Sequence, residues 1–152
     1  MVDYIVRQAT ARDIPALCAL LKILFSIEAD FAVDEQKQRN GLELMINTSE
    51  ERCIMVAELQ GTIIGMCTAQ LVISTAEGGN AALIEDMVIH EDYRRQGIGR
   101  RLLQEIEAWA LKHGSKRLQL LADRNNSPAL AYYQRLGWRP TQLMAFQKKP
   151  ES

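Results

Sequence analysis

A chain of 152 residues is long enough to bury a core without disulfides or metals and short for two domains. With 47% hydrophobic and 24% charged residues and no low-complexity run, it is neither disordered nor fibrous. A formal net charge of -1 argues against a general nucleic-acid binder, and the charged opening MVDYIVRQ has no apolar core to act as a secretory leader, so a cytoplasmic location is the expectation.

In chain order, YIVR (4–7) reads as a strand. Thr10 and Asp13 then form a capping pair ahead of Ile14, Leu17, Cys18, Leu21 and Leu24 at helical spacing. A second helix follows Asp34, with Leu42, Met45 and Ile46 on one stripe, and ends near Thr48. CIMVAEL (53–59), Gln60-Gly61 and TIIGMCTAQLVIS (62–74) make a hairpin. The charge-free run 59–76 is better explained by two buried strands around a turn than by a membrane span, because it is rich in β-branched residues and broken by glycines. AALIEDMVI (81–89) is a strand, 98–113 a helix stopped at His113-Gly114, and RLQLLA (117–122) a strand. Pro128 opens a helix closed by Gly137, and LMAFQKK (143–149) reads as a last strand. The expected order is β-α-α-β-β-β-α-β-α-β, a mixed α/β (α+β) chain. Cys18, Cys53 and Cys67 sit singly in apolar runs and read as small buried hydrophobes, not as metal ligands. His90 and His113, at a turn and a helix end, read as solvated.

The chemistry concentrates in MVIHEDYRRQGIGRRLL (87–103). N–H groups at a helix start lack intrahelical partners and carry the positive end of the helix dipole, so this turn can take an anion if the anion can come close. Gly97 and Gly99 remove side chains there, Ile98 packs inward, and Arg94, Arg95, Arg100 and Arg101 surround it with charge. A phosphate or pyrophosphate is the ligand this suggests. The same residues also fit a plain helix start with solvated arginines. Leu102 stands where a Rossmann fingerprint needs its third glycine, and no Gly-Lys-Ser/Thr loop exists in the chain.

RRQGIG (94–99) resembles the Arg/Gln-x-x-Gly-x-Gly/Ala loop of the Gcn5-related N-acetyltransferases (GNAT family). NSPALAYYQRLGW (126–138) resembles that family's second signature, Asn-x-x-Ala-x-x-(apolar/aromatic)-Tyr-x-x-x-Gly-aromatic, at the usual separation. The resemblance covers the whole chain and implies a single N-acetyltransferase domain over 1–152. It implies a mixed sheet of six to seven strands in which 81–89 and 117–122 splay apart to form a cofactor cleft.

The implied co-substrate is acetyl-CoA, with no metal. By resemblance, backbone groups of Met87, Val88 and Ile89 would pair with its pantetheine arm, and N–H groups from Arg95 through Gln96, Gly97, Ile98 and Gly99 to Arg100 would hold its pyrophosphate. Arg94 would stand at the loop entrance. Asn126, Ala129 and Tyr132 would lie beside the arm, although Asn126 equally suits the cap of the Pro128 helix.

Tyr133 falls at the family's general-acid position, where a hydroxyl can protonate the departing thiolate. At helical spacing one of the Tyr132–Tyr133 pair would ordinarily be core and the other surface. For a base, the glutamate of N-terminal acetyltransferases, five residues before the asparagine, is replaced by Leu121. Glu85 is the first candidate and Asp86 the second. Strict alternation puts Glu85 on the face of Met87 and Ile89, a count that a bulge would change. No cysteine suits an acyl-enzyme, so direct attack in a ternary complex is implied.

The acceptor region of the family corresponds to SIEADFAVDEQ (26–36), where Glu28, Asp30, Asp34 and Glu35 surround Phe31. An acidic rim would favour a cationic small-molecule amine; helix caps and solvated carboxylates account for the same residues. The competing functions are a protein or peptide acetyltransferase and a non-catalytic CoA-binding module. Neither nucleic acid nor membrane is expected as a partner, and a homodimer is consistent with the family.

Overall fold

The structure, a computed structural model, describes residues 3–28, 30–47 and 50–150. Arg7 anchors its beginning. From β1 (Ile5–Gln8), its guanidinium donates to both carboxylate oxygens of Asp13, at 2.8 and 3.0 Å, and to Glu58 at 3.0 Å. Asp13 also accepts the backbone N–H of Thr10 at 2.8 Å, which closes the expected capping pair. These bonds, Arg7's first, hold the Asp13 carboxyl below its ordinary range.

Helix α1 (Ile14–Ile27) follows, burying Ile14, Leu17, Cys18, Leu20 and Leu21, while Leu24 is only half-buried. Helix α2 (Glu35–Asn47) starts on Asp34, whose carboxylate accepts the Lys37 N–H at 3.2 Å. Only Leu42 of its stripe is fully buried, with Met45 and Ile46 packed at the margin. Thr48, where this helix was expected to end, lies outside the described residues.

Strands β2 (Arg52–Leu59), β3 (Thr62–Ser74) and β4 (Gly79–Ile89) form an antiparallel meander, and β5 (Leu118–Leu120) adds parallel to β4, giving the order β1-β2-β3-β4-β5. Gln60 and Gly61, both left-handed, make the two-residue turn between β2 and β3. Ile54, Val56, Met66 and Val88 form one core with α1 and Leu42 of α2. Helix α3 (Ile98–Lys112) covers the other face: Gly65, next to Met66, points at Leu102. Its inward stripe is Ile98, Leu102, Ile106 and Trp109. All three cysteines are buried, and burial pushes the Cys53 thiol up to about 12 and Cys67 higher still.

The chain divides into two compact units, Met1–Leu121 and Ala122–Ser152. The second holds α4 (Ser127–Arg135), ended by a Trp138 N–H bond to the Tyr133 carbonyl at 3.0 Å.

Two expectations are corrected. The 117–122 strand is shorter, because pairing with β4 stops at Ile84–Leu120. The 143–149 strand is absent, so the sheet has five strands among the described residues rather than six to seven. Alternating apolar residues permit extended chain, but a strand also needs a ladder partner. Here the Leu143 N–H is instead engaged by the Thr141 hydroxyl at 3.3 Å, a local bond that competes with pairing.

Candidate active site

The feature that shapes the candidate site is a bulge in β4. Gly65 stands opposite Ile89 and Met66 opposite Val88, but Thr68, two residues on, stands opposite Glu85, three residues back. One extra residue is thus inserted into β4, and Asp86 takes it up with a left-handed φ of 54°. The face count changes accordingly. Glu85 shares the face of Val88, toward α1, not that of Met87 and Ile89 as strict alternation predicted.

Past the bulge β4 leaves β5. Ladder pairs join Ala82, Leu83 and Ile84 to Leu118, Gln119 and Leu120, and none involves residues 85–89. Met87, Val88 and Ile89 therefore run beside β3 on one side and, among the described residues of the first unit, make no ladder pair on the other. An extended chain of amides could bond there as an added strand. Gly65 supports this stretch by close approach, since a Cβ on it would lie 2.7 Å from the Ile89 side chain.

The Met87–Ile89 stretch leads directly into the loop. A short turn (Glu91–Tyr93) follows His90, whose ring accepts the Asp92 N–H at 3.2 Å; His90 is thus half-buried and bonded rather than simply solvated. Arg95 and Gly97 both adopt left-handed backbone, with φ of 65° and 80°. Gly97 is the N-cap of α3, and Arg101 is the first residue to complete a helical bond, to the Gly97 carbonyl at 3.1 Å. The N–H groups of Ile98, Gly99 and Arg100 precede that bond at the positive end of a four-turn helix. Ile98 is buried, Gly99 half-buried, and Arg94, Arg95, Gln96, Gly97 and Arg100 are exposed around the turn.

The arginines divide by what they touch. Arg101 pairs with Glu105 at 3.2 Å and is part of the helix surface. Arg94 donates its Nε–H to the Ile89 carbonyl at 3.0 Å. That tether had no signal in the sequence, because it joins a side chain to backbone across a turn.

The two carboxylates at the bulge differ in setting. Glu85 is exposed. Asp86 is half-buried, and its Oδ2 lies 3.2 Å from the Thr68 hydroxyl. Burial first, and the neighbouring Glu85 charge second, push the Asp86 carboxyl up to about 6, against the Thr68 hydrogen bond, which lowers it. An acid poised there can exchange a proton near neutral pH.

Within the second unit, the Asn126 side chain accepts the Ala129 N–H at 3.2 Å, so it does cap α4. Tyr133 stacks edge-on against Tyr132 and Trp138, with ring centroids 5.7 and 6.4 Å apart.

In the 26–36 segment, Asp34 caps α2 and Glu35 pairs with Arg39 at 3.6 Å; Phe31 packs on Phe25 with centroids 5.5 Å apart. Two of its four carboxylates thus serve the helix start. His113 is half-buried on Trp109 rather than solvated, with its Nδ1 2.8 Å from the Trp109 carbonyl. Among the described residues, no cluster of three His, Cys, Asp or Glu is placed to hold a metal ion, and no helix is long and apolar enough to cross a membrane.

Comparison with known proteins agrees with this geometry. The pattern of the Acetyltransferase (GNAT) family matches residues 17–138. An aminoglycoside N(6')-acetyltransferase type 1 of Acinetobacter genomosp. 13 is 35% identical over 68 residues, 45% of this chain and 47% of that protein. The chain spans less than half the length of the curated relatives it matches. Among solved structures, a possible acetyltransferase from Clostridium difficile 630 superposes with a TM-score of 0.86 at 17% identity, covering 98% of this chain and 99% of that one. The aminoglycoside N-acetyltransferase AAC(6')-Iy, in complex with CoA, gives 0.83 at 16% identity, covering 98% and 96%. The chain belongs to the GNAT acetyltransferase family.

Proposed function

We propose that this chain is a single-domain N-acetyltransferase that moves the acetyl group of acetyl-CoA to a primary amine of a small molecule. One observation carries the reading. The end of β4 that makes no ladder pair with β5 runs straight into the N-terminus of α3, so a ligand with an amide-bearing arm and a pyrophosphate finds both partners in succession.

Backbone groups of Met87, Val88 and Ile89 bind the arm. The turn from Arg95 through Gln96, Gly97, Ile98 and Gly99 to Arg100 binds the pyrophosphate, with Arg94 bracing its entrance. Asn126, Ala129 and Tyr132 are assigned to the arm on the family motif alone.

The chemistry requires an uncharged amine, because an ammonium nitrogen has no lone pair to attack with. A carboxylate at the bulge, Glu85 or Asp86, takes its proton. The amine nitrogen then bonds to the thioester carbonyl carbon, the carbon–sulfur bond breaks, and Tyr133 donates its phenolic proton to the departing sulfur; the nitrogen sheds its second proton to leave the neutral amide, and that proton restores the phenol. Most of the acceleration comes from holding the two reactants together. The curated aminoglycoside acetyltransferase and the solved AAC(6')-Iy enzyme support an amine acceptor on a small, polycationic molecule.

The test is thiol release from acetyl-CoA across aminoglycosides, polyamines, aminosugars, amino acids and short peptides. Turnover on one or more non-peptide amines is the expected result. Turnover on peptides alone would overturn the acceptor class. Binding of acetyl-CoA without turnover on any amine would point to a CoA-binding module instead.

A further inference from the structure

We infer that Thr68 of β3 is a positioning residue for the proposed transfer: its hydroxyl locks the bulge and holds Asp86 as the carboxylate that receives the acceptor's proton. This rests on the reaction proposed above and decides between its two candidate bases.

Thr68 is 3% exposed, so its hydroxyl must find partners within the protein. It stands opposite Glu85, where the extra residue disturbs the ladder, and has two acceptors within reach. The Glu85 carbonyl lies at 3.1 Å and Asp86 Oδ2 at 3.2 Å. A hydroxyl carries one proton. While Asp86 is ionised, the hydroxyl turns to its carboxylate, the stronger acceptor. Once Asp86 has taken a proton, its own O–H donates to Thr68 Oγ1, and the Thr68 hydrogen turns to the Glu85 carbonyl. Cys67, whose Sγ is 3.7 Å from the same carbonyl, helps to hold it. Both protonation states of Asp86 are thus hydrogen-bonded without movement of the strand.

The groups whose charge bears on Asp86 are Glu85 on its own strand and Cys67 on β3. Burial keeps the Cys67 thiol protonated and uncharged, so Glu85 is the charge that opposes ionisation. Glu85 is exposed beside the bulge, whereas the Asp86 carboxylate is the one within reach of the Thr68 hydroxyl.

The experiment is a pH titration by NMR of protein labelled at the aspartate side-chain carboxyl carbons. The Asp86 signal is identified by its loss in Asp86→Asn. In wild type its midpoint is expected at about 6. In Thr68→Val the midpoint should rise by about one pH unit, tenfold in proton affinity, since the charge-assisted bond lost by the ionised form is stronger than the neutral one lost by the acid. Thr68→Ala, a second variant without the hydroxyl, should do the same if the valine disturbs packing. Thr68→Ser, which restores the hydroxyl, should return the midpoint to the wild-type value. An unchanged midpoint in Val and Ala, or an equal rise in Ser, overturns the positioning role. The base assignment is tested separately: thiol release from acetyl-CoA by Asp86→Asn at the wild-type rate, on an acceptor found in the panel, removes Asp86 as base and leaves the titration result intact.

Discussion

The Nε–H of Arg94 reaches the carbonyl oxygen of Ile89 at 3.0 Å, tying the entrance of the loop to the last residue of β4. This joins the surface proposed for the pantetheine arm to the turn proposed for the pyrophosphate. Arg94→Ala should therefore raise the KM for acetyl-CoA by roughly tenfold, from loss of one charge-assisted bond, and change kcat less. Steady-state kinetics at varied acetyl-CoA checks this. An unaltered KM would show that the turn holds its shape without the tether.

The two loop glycines should fail in different ways. Gly97 has open space around it but a φ of 80°, so Gly97→Ala should cost about 1 kcal/mol of stability through left-handed strain, seen as a lower urea midpoint. Gly99→Val places a branched side chain at the half-buried first turn of α3. Its expected signature is lost acetyl-CoA binding by calorimetry. Normal affinity in Gly99→Val would contradict the pyrophosphate assignment.

For Tyr133, the carried-over role is donation of a proton to the leaving sulfur. Tyr133→Phe should lower kcat by roughly 10²- to 10⁴-fold while the affinity for acetyl-CoA holds. A mutant as fast as wild type would remove Tyr133 from the mechanism.

Asp86 links function to stability, and the sign can be worked out. Its carboxyl is raised from 3.8 to about 6 in the folded protein, so the fold favours the protonated form. The stability this contributes is fully present below the unfolded value of 3.8 and is lost as pH rises through about 6. Asp86→Asn has no charge to desolvate. It should be more stable than wild type at pH 7.5, by about 3 kcal/mol, and the gap should close below pH 4. Urea denaturation at the two pH values measures it. A variant less stable than wild type at pH 7.5 would mean that the carboxylate's contacts outweigh its burial.

The sequence was most legible where local chemistry decides the outcome. Thr10 and Asp13, the Gln60-Gly61 turn, the helix after Gly97 and the Asn126 cap can all be read from neighbours a few residues apart, and the structure has each of them. It was least legible where pairing decides. LMAFQKK has the alternation of a strand, but alternation does not supply a partner. The face of Glu85 depended on whether a bulge broke the alternation: a period of two cannot locate an inserted residue, and IEDM gives no sign of which residue will turn left-handed. Thr68 was passed over for a similar reason: a threonine within a β-branched run looks like strand filler until the opposite strand is known.

An unpaired strand edge is also a hazard, since a second copy of any extended chain can bond to it and begin a fibre. In β4 the stretch proposed to take a ligand, Met87 to Ile89, is short and follows the kink at Asp86. Two adjacent carboxylates stand at that kink. A stray strand would have to follow the bend and approach a charge-bearing flank, whereas a slender, flexible amide chain has fewer such constraints. The irregularity at Asp86 thus also limits which chains can add to β4 beyond it.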